Sequence, residues 1–93
     1  MLENRYAESI EPFNEAIKLD PGFTIAYNGR GFARYLLKQY AEAIMDYDRA
    51  IQLNPGYANA YLNRSNARRA VGDKAGADSD MVKFRELSAA AQR

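Results

Sequence analysis

The fold is decided by residues 24–57, which read TIAYNGRGFARYLLKQYAEAIMDYDRAIQLNPGY. The pair Pro55-Gly56 near the end of this stretch repeats the earlier pair Pro21-Gly22. The phrase Tyr40-Ala41-Glu42 repeats Tyr6-Ala7-Glu8 with the same period. A fixed period of about 34 residues is typical of a protein built as a stack of similar units.

Hydrophobic spacing predicts an all-α protein. Tyr6, Ile10, Phe13 and Ile17 recur at spacings of four, three and four, which places them on one stripe of a helix. Short turns join the helices, so consecutive helices pack antiparallel and the helix pairs stack as an α-solenoid. The five predicted helices are residues 5–19, 24–37, 40–53, 58–71 and 74–90.

Several local signals mark how these helices begin, bend and end. Pro12 lies inside the first helix, where proline cannot donate a backbone hydrogen bond, and we expect a kink there. Thr24 is expected to cap the second helix, and Gly72-Asp73 to form the turn before the fifth. Gly31 lies within the second helix, where glycine costs about 1 kcal/mol relative to alanine. We therefore expect another helix to approach closely at Gly31.

The composition indicates one small domain and excludes several classes of function. The 93 residues contain no cysteine and no histidine, which removes disulfides, thiolate chemistry and the commonest general base and metal ligand. No apolar run reaches the roughly 18 residues of a membrane span, and the polar start MLENR does not resemble a secretory signal. We expect a protein that is not an enzyme, has no metal or other cofactor, does not insert into membranes and is cytoplasmic.

The net charge of +1 conceals a gradient along the chain. Residues 1–21 carry a balance of −3, residues 22–56 of +1 and residues 57–93 of +3. Ordinary solvated helix faces account for such a gradient. The alternative is head-to-tail attraction between copies, or an acidic partner at the C-terminal end.

The pattern of residues 24–57 resembles the tetratricopeptide repeat, a helix–turn–helix unit of about 34 residues. Tyr27 stands at the large aromatic site of that family, Gly31 at its small-residue site and Pro55 at its closing proline. The sites of the second helix of the unit are filled by Ala43, Tyr47 and Ala50, and those of the following unit by Tyr61, Ser65, Ala77, Met81 and Phe84. The resemblance divides the chain into a half repeat (1–23), a full repeat (24–57) and a full repeat with an extended last helix (58–93).

Several residues depart from the family pattern, among them two arginines and a lysine. Arg34 and Arg68 occupy a site that is usually aromatic, and we expect their stems to pack while their charged heads reach solvent. Lys38 replaces the usual glycine of the turn within the repeat.

In this family the first helix of each repeat lines a concave groove that holds an extended peptide or a partner helix. The resemblance therefore implies a scaffold or adaptor that binds a protein or peptide partner. Asparagines there satisfy backbone groups, aromatic and aliphatic side chains anchor apolar ones, and an arginine pairs with a carboxylate. The matching positions are Ile25, Asn28, Phe32, Tyr35, Asn59, Leu62, Asn66 and Arg69. The alternative interpretation is a polar–aromatic surface that has no ligand.

Self-assembly is a structural alternative to peptide binding. A chain that starts with half a repeat lacks a partner helix at its front, and an exposed apolar stripe favours association. The stripe consists of Ile10, Phe13 and Ile17, and its pairing would give a homo-oligomer.

The basic cluster of the fourth helix is a remote candidate for RNA contacts. It contains Arg64, Arg68 and Arg69 together with Asn63 and Asn66. A net charge of +1 gives little attraction for phosphate, so we do not expect a nucleic-acid partner.

A clamp for a C-terminal carboxylate, found in one branch of the family, is not expected either. Asn63 resembles one asparagine of that clamp. Asn28 and Phe32, however, stand where the clamp needs lysine and asparagine.

Four aspartates are the remaining candidates for chemistry. Asp46 and Asp48 are two positions apart, as are Asp78 and Asp80, so the members of each pair point in different directions on a helix. We expect all four to be solvent-facing charges and no catalytic residue in the chain.

Overall fold

The structure, a computed structural model, describes the backbone of residues 2–91 and the side chains of residues 5–91. The five helices are α1 (Leu2–Leu19), α2 (Thr24–Leu36), α3 (Tyr40–Leu53), α4 (Ala58–Ala70) and α5 (Lys74–Ala91). Residues 2–91 contain no strand, which confirms the all-α prediction. The stretch MLENR, on which the expectation about a secretory signal rests, lies partly outside these described ranges. The last two residues of the 58–93 unit lie wholly outside them.

α1 continues through Pro12 as a single helix, and it begins at Leu2, ahead of the expected start at residue 5. Ser9 Oγ donates a hydrogen bond back to the carbonyl of Tyr6 at 2.7 Å. Pro12 leaves the carbonyl one turn earlier, at Glu8, without its helical donor. Both residues are exposed, so water reaches this part of the helix and can satisfy that carbonyl.

The first Pro-Gly turn is closed by two side-chain contacts. Asp20 Oδ1 accepts a hydrogen bond from the Gly22 amide at 3.1 Å, and the Tyr27 hydroxyl donates to the Pro21 carbonyl at 3.1 Å. Both bonds recur one period later, formed by Asn54 with Gly56 and by Tyr61 with Pro55. The repeated sequence therefore encodes a repeated turn.

The N-termini of α2 and α5 are completed in different ways. Phe23 precedes α2, and within the described chain no side chain caps this helix, so the prediction that Thr24 is its cap is wrong. Before α5, Asp73 Oδ1 accepts a hydrogen bond from the Gly76 amide at 2.9 Å, and Gly72 has a φ of 87°. The predicted turn at Gly72-Asp73 is therefore confirmed.

α2 and α3 meet closely at Gly31, as expected. A Cβ atom placed on Gly31 would lie 2.7 Å from Cε1 of Tyr47, which is shorter than normal contacts allow. The Tyr47 side chain is completely buried, and small residues surround it so that the helices can approach. The fully buried alanines of the core are Ala43, Ala50, Ala60, Ala67 and Ala77.

The stack of helices curves toward α2 and α4. Each helix packs against the next along the chain, and α2 also contacts α4 directly. In the part of the chain that is described, the backbones of α1 and α3 lie farther apart than those of α2 and α4, and so do the backbones of α3 and α5. Helices on the inner side of a curved stack lie closer together, so α2 and α4 line the concave face.

None of the described helices is both long enough and apolar enough to span a bilayer.

Candidate functional site

The α2 side of the concave face is aromatic and aliphatic. Ile25 is 59% exposed and Phe32 is 47% exposed, although both are apolar. The Phe32 ring stacks on the half-buried Tyr35 ring with 6.5 Å between centroids, and Tyr40 packs against Tyr35 at 5.6 Å. Sequence reasoning missed Tyr40, which begins α3 and packs against this group. Phe32 thus offers apolar surface beside two further rings, and Ile25 offers more of it near the start of the same helix.

The α4 side of the concave face is polar. Asn59 and Asn66 are both exposed, and the half-buried Leu62 lies between them in sequence. Asn63 Nδ2 donates a hydrogen bond to Asn28 Oδ1 at 3.0 Å, which joins α4 to α2 across the face. The Asn28 oxygen is therefore already engaged by a neighbouring side chain.

Arg69 lies at the C-terminal end of α4. Its Nη2 atom lies 3.5 Å from Asp78 Oδ1, in a pair whose side chains are 49% and 72% exposed. A pair this exposed is weak and leaves the guanidinium accessible.

The eight predicted residues are thus carried by two helices that contact each other, and none of them is fully buried. We refer to this set as the groove: Ile25, Asn28, Phe32, Tyr35, Asn59, Leu62, Asn66 and Arg69.

A buried carboxylate that sequence reasoning placed in solvent lies behind the groove. Asp46 of α3 is 3% exposed, so the prediction for this residue is wrong. It accepts hydrogen bonds from Arg30 at 2.7 Å and from Arg34 at 3.0 Å, both from α2. Arg30 also donates to Asn14 Oδ1 of α1 at 2.9 Å, so a single guanidinium ties α1, α2 and α3 together.

The same arrangement recurs in the following repeat. Asp80 is 3% exposed, again contrary to the prediction, and accepts hydrogen bonds from Arg64 at 2.7 Å and from Arg68 at 3.0 Å. Arg64 also donates to Asp48 at 2.9 Å, and Asp48 is half-buried rather than fully solvated. Asp78 is the aspartate of these four that is clearly exposed as predicted.

Hydrogen bonding outweighs burial at Arg64. Burial by itself lowers the pKa of this guanidinium, but the hydrogen bonds that it donates to Asp80 and Asp48 hold the pKa above its usual value. These hydrogen bonds therefore favour the charged form of Arg64.

The prediction that the charged heads of Arg34 and Arg68 reach solvent is wrong. Each donates to a buried aspartate, which explains why arginine is accepted at a site that is usually aromatic. The sequence contained a signal for this pairing. Each arginine has its partner aspartate 12 residues later, and the second pair follows the first by one period of the repeat.

An open cleft of about 410 Å³ lies between α2 and α3, away from the groove. It includes none of the eight groove residues. Its floor is the ion-paired set of Arg30, Arg34 and Asp46, whose polar atoms already bond one another. We therefore assign this cleft to the structural network and place the candidate site in the groove.

The α1 stripe is covered more than its sequence suggested. Phe13 is half-buried, and its ring occupies the space above Gly29 of α2, where a Cβ atom would lie 2.5 Å from it. Ile17 packs against the buried cluster of Tyr27, Ala50 and Ala60. Ile10 is also half-buried. Among the side chains of α1 that the structure describes, from residue 5 onward, the large apolar one that is clearly exposed is Leu19, at 85%.

Two arginines of the basic cluster of α4 are committed to a buried carboxylate rather than available for phosphates. Arg64 and Arg68 share Asp80, and Arg69 lies beside Asp78. This pairing adds to the low net charge as a reason against a nucleic-acid partner.

Comparison with protein-family models matches residues 24–57 to the tetratricopeptide repeat. A comparison with curated proteins gave no match. Solved structures match closely over nearly the whole chain.

One of these is the first TPR domain of Spaghetti (RPAP3) bound to the HSP90 peptide SRMEEVD, which is 31% identical with a TM-score of 0.88. The match covers 90% of this chain and 67% of that chain. The second TPR domain of Spaghetti, bound to the same peptide, is 28% identical with a TM-score of 0.87, and the match covers 91% of this chain and 79% of that one.

The TPR2B domain of yeast Sti1, in a pHsp70 complex, is 26% identical with a TM-score of 0.92. That match covers 98% of this chain and 73% of the yeast domain. The shared helical stack, the matched repeat over residues 24–57 and the level of identity agree: the chain belongs to the tetratricopeptide repeat family.

Proposed function

We propose that this chain is a protein-interaction module of the scaffold or adaptor type, which binds a peptide or helix of a partner protein in the groove. The observation that carries the proposal is the exposure of Ile25 and Phe32, two large apolar side chains on the concave face. Exposed apolar groups that lie together mark interaction sites, because binding removes them from water. The similar TPR domains that were solved with chaperone peptides support the same class of function.

The arrangement of the groove fits a peptide. Apolar anchors lie on α2 and hydrogen-bonding amides lie on α4, so one extended segment can meet both. The contact residues in this proposal are Ile25, Asn28, Phe32, Tyr35, Asn59, Leu62, Asn66 and Arg69.

A matched pair of variants tests the proposal. Random peptides displayed on phage are selected on the full chain, and the affinity of the enriched peptides is measured. Phe32→Ala is expected to weaken binding by about tenfold, because truncating an anchor typically costs more than about 1 kcal/mol. Met45→Ala, which removes an apolar side chain 69% exposed on α3, is the control and is expected to leave affinity unchanged.

The proposal is wrong if no peptide is enriched, or if the two variants weaken binding equally. Circular dichroism of both variants ensures that lost binding does not reflect lost helix.

Self-assembly through α1 is a second candidate, favoured by one observation. Leu19 is 85% exposed, whereas its counterpart one period later, Leu53, is half-buried and packs on the core cluster. We propose that α1 is the second helix of a half repeat and that Leu19, more than Ile10, Phe13 or Ile17, is its free apolar contact. Light scattering over a range of concentrations tests this candidate. A monomer at every concentration excludes it, and a dimer that Leu19→Glu dissociates supports it.

A further inference from the structure

The groove has few of the cationic side chains that an acidic ligand requires. Of its eight side chains one, Arg69, is cationic, and it already lies 3.5 Å from Asp78. The arginines that lie behind the groove, Arg30 and Arg34, are engaged by the buried Asp46. A carboxylate that entered the α2 half of the groove would find apolar side chains and an asparagine there rather than a free cation.

Removing a carboxylate from water without a cationic partner is costly, whereas an uncharged side chain carries no such penalty. The chemistry of the α2 half therefore selects against acidic residues. It selects for apolar ones, since Ile25 and Phe32 gain from any contact that removes them from water.

Neighbouring rings support this apolar surface. Phe32 stacks on Tyr35 with an interplanar angle of 16°, and Tyr40 packs against Tyr35 at a tilt of 59°. A preformed surface loses little conformational freedom when a ligand side chain settles on it.

The amides of α4 supply the polar half of the same recognition. Neither Asn59 nor Asn66 is buried, and each carries both a donor and an acceptor, which is what the backbone of an extended segment requires. The bond between Asn63 and Asn28 joins α4 to α2, so the amides of α4 and the rings of α2 lie on two helices that contact each other.

We propose that the groove takes an uncharged, extended segment of a partner protein, with aliphatic or aromatic side chains on Ile25 and Phe32 and its backbone amides on Asn59 and Asn66. Binding does not depend on a free C-terminal carboxylate. This inference rests on the proposed function and specifies its ligand. It sets the chain apart from the similar domains solved with SRMEEVD, a peptide whose last four residues include three acidic side chains.

Two selections on the full chain test the inference. In one, random heptapeptides are flanked on both sides by phage coat protein, so that they have no free C-terminus. In the other, heptapeptides end in a free carboxylate. The flanked library is expected to give binders at least as readily, with aromatic or aliphatic residues enriched and aspartate and glutamate depleted. The most enriched peptide, made as free acid and as C-terminal amide, is expected to bind with affinities within about twofold of each other.

A variant of the groove provides the opposite case. Asn66→Lys adds a cation at an exposed position and is expected to raise affinity for synthetic SRMEEVD by about twofold to fivefold, the effect of one exposed ion pair. Met45→Lys adds the same charge on α3 outside the groove and is expected to leave that affinity unchanged.

The inference is overturned if enriched peptides are acidic, if amidation weakens the best binder more than about tenfold, or if the unmodified chain binds SRMEEVD as tightly as its best uncharged peptide. In each of these cases Phe32→Ala still weakens binding if the groove is the site, so the proposed function stands. If no peptide binds, or if Phe32→Ala has no effect, both proposals are overturned together.

Discussion

Arg30 of α2 and Asp46 of α3 form the central ion pair of the protein, with Nη2 of the arginine 2.7 Å from Oδ1 of the aspartate. The aspartate is 3% exposed, and the guanidinium also lies over the Tyr27 ring at 5.6 Å. Arg64, Asp80 and Tyr61 repeat this arrangement one period later, with the same distances. Each of these two repeats is therefore held together by a buried ion pair as well as by apolar packing.

Asp46→Asn is expected to lower the free energy of unfolding by about 2–4 kcal/mol. It removes the buried charge that compensates Arg30 and Arg34, and breaking such a pair usually costs about 3–5 kcal/mol when it is fully buried. We place the loss slightly lower because the arginine side chains are 18% and 24% exposed. Urea unfolding measured by circular dichroism gives this value.

Asp78→Asn is the matched control for that substitution. Its carboxylate is 72% exposed and pairs weakly with Arg69, so we expect a change within about 0.5 kcal/mol. Equal losses for Asp46→Asn and Asp78→Asn would contradict the importance of the buried pair.

Gly31→Ala is expected to destabilise the protein by about 1–3 kcal/mol, although alanine favours helices. The added Cβ would lie 2.7 Å from the buried Tyr47 ring, which has no room to move. Gly22→Ala serves as control, because Gly22 is exposed and its nearest contact would be 3.5 Å away. A Gly31→Ala protein as stable as wild type in thermal melts would show that the two helices can separate at little cost.

Lys38→Gly is expected to stabilise the protein by about 1 kcal/mol. Lys38 lies in the turn after α2 with a φ of 65°, a conformation that costs residues with a Cβ atom but not glycine. Gly72 already occupies the corresponding turn after α4 with a φ of 87°. The neighbouring Gln39→Gly, at a φ of −89°, should give no such gain. The melting temperatures of the two variants decide the point, and a lower one for Lys38→Gly would refute it.

Tyr47→Phe is expected to leave stability at pH 7 unchanged or slightly higher. The Tyr47 hydroxyl is buried, and no described group lies within hydrogen-bonding distance of it, so its removal breaks no bond within the described chain. A loss of more than about 1 kcal/mol in urea unfolding at pH 7 would indicate a partner for the hydroxyl.

The same variant predicts a difference at alkaline pH. Burial, and then the charge of Asp46, raises the pKa of the Tyr47 hydroxyl above the usual value of about 10. The folded protein thus holds this proton more tightly than the unfolded chain does, and wild type loses stability as pH rises above about 10. Tyr47→Phe removes this contribution. Its free energy of unfolding should fall less than that of wild type between about pH 9 and pH 11, and parallel losses would contradict the assignment.

Much of the fold was readable from the sequence because helices and turns depend on near neighbours. The Pro-Gly pairs and the apolar spacing placed all five helices, with the largest error at the start of α1. The close approach at Gly31 was also predictable, because an internal glycine in a helix needs a packing reason. The positions of the groove residues followed from the repeat, although their role in binding remains a proposal.

The sequence by itself therefore determined the period, the helices and the order in which they pack. The tertiary structure alone decided which charges are buried. In the sequence, a charged residue on a helix is expected to face solvent unless another helix brings it a partner. Asp46 gains its partners only when α2 packs on α3, and Asp80 only when α4 packs on α5. The free energy of a buried carboxylate depends on where neighbouring donors lie in space, and spacing within a single helix carries no information about that distance.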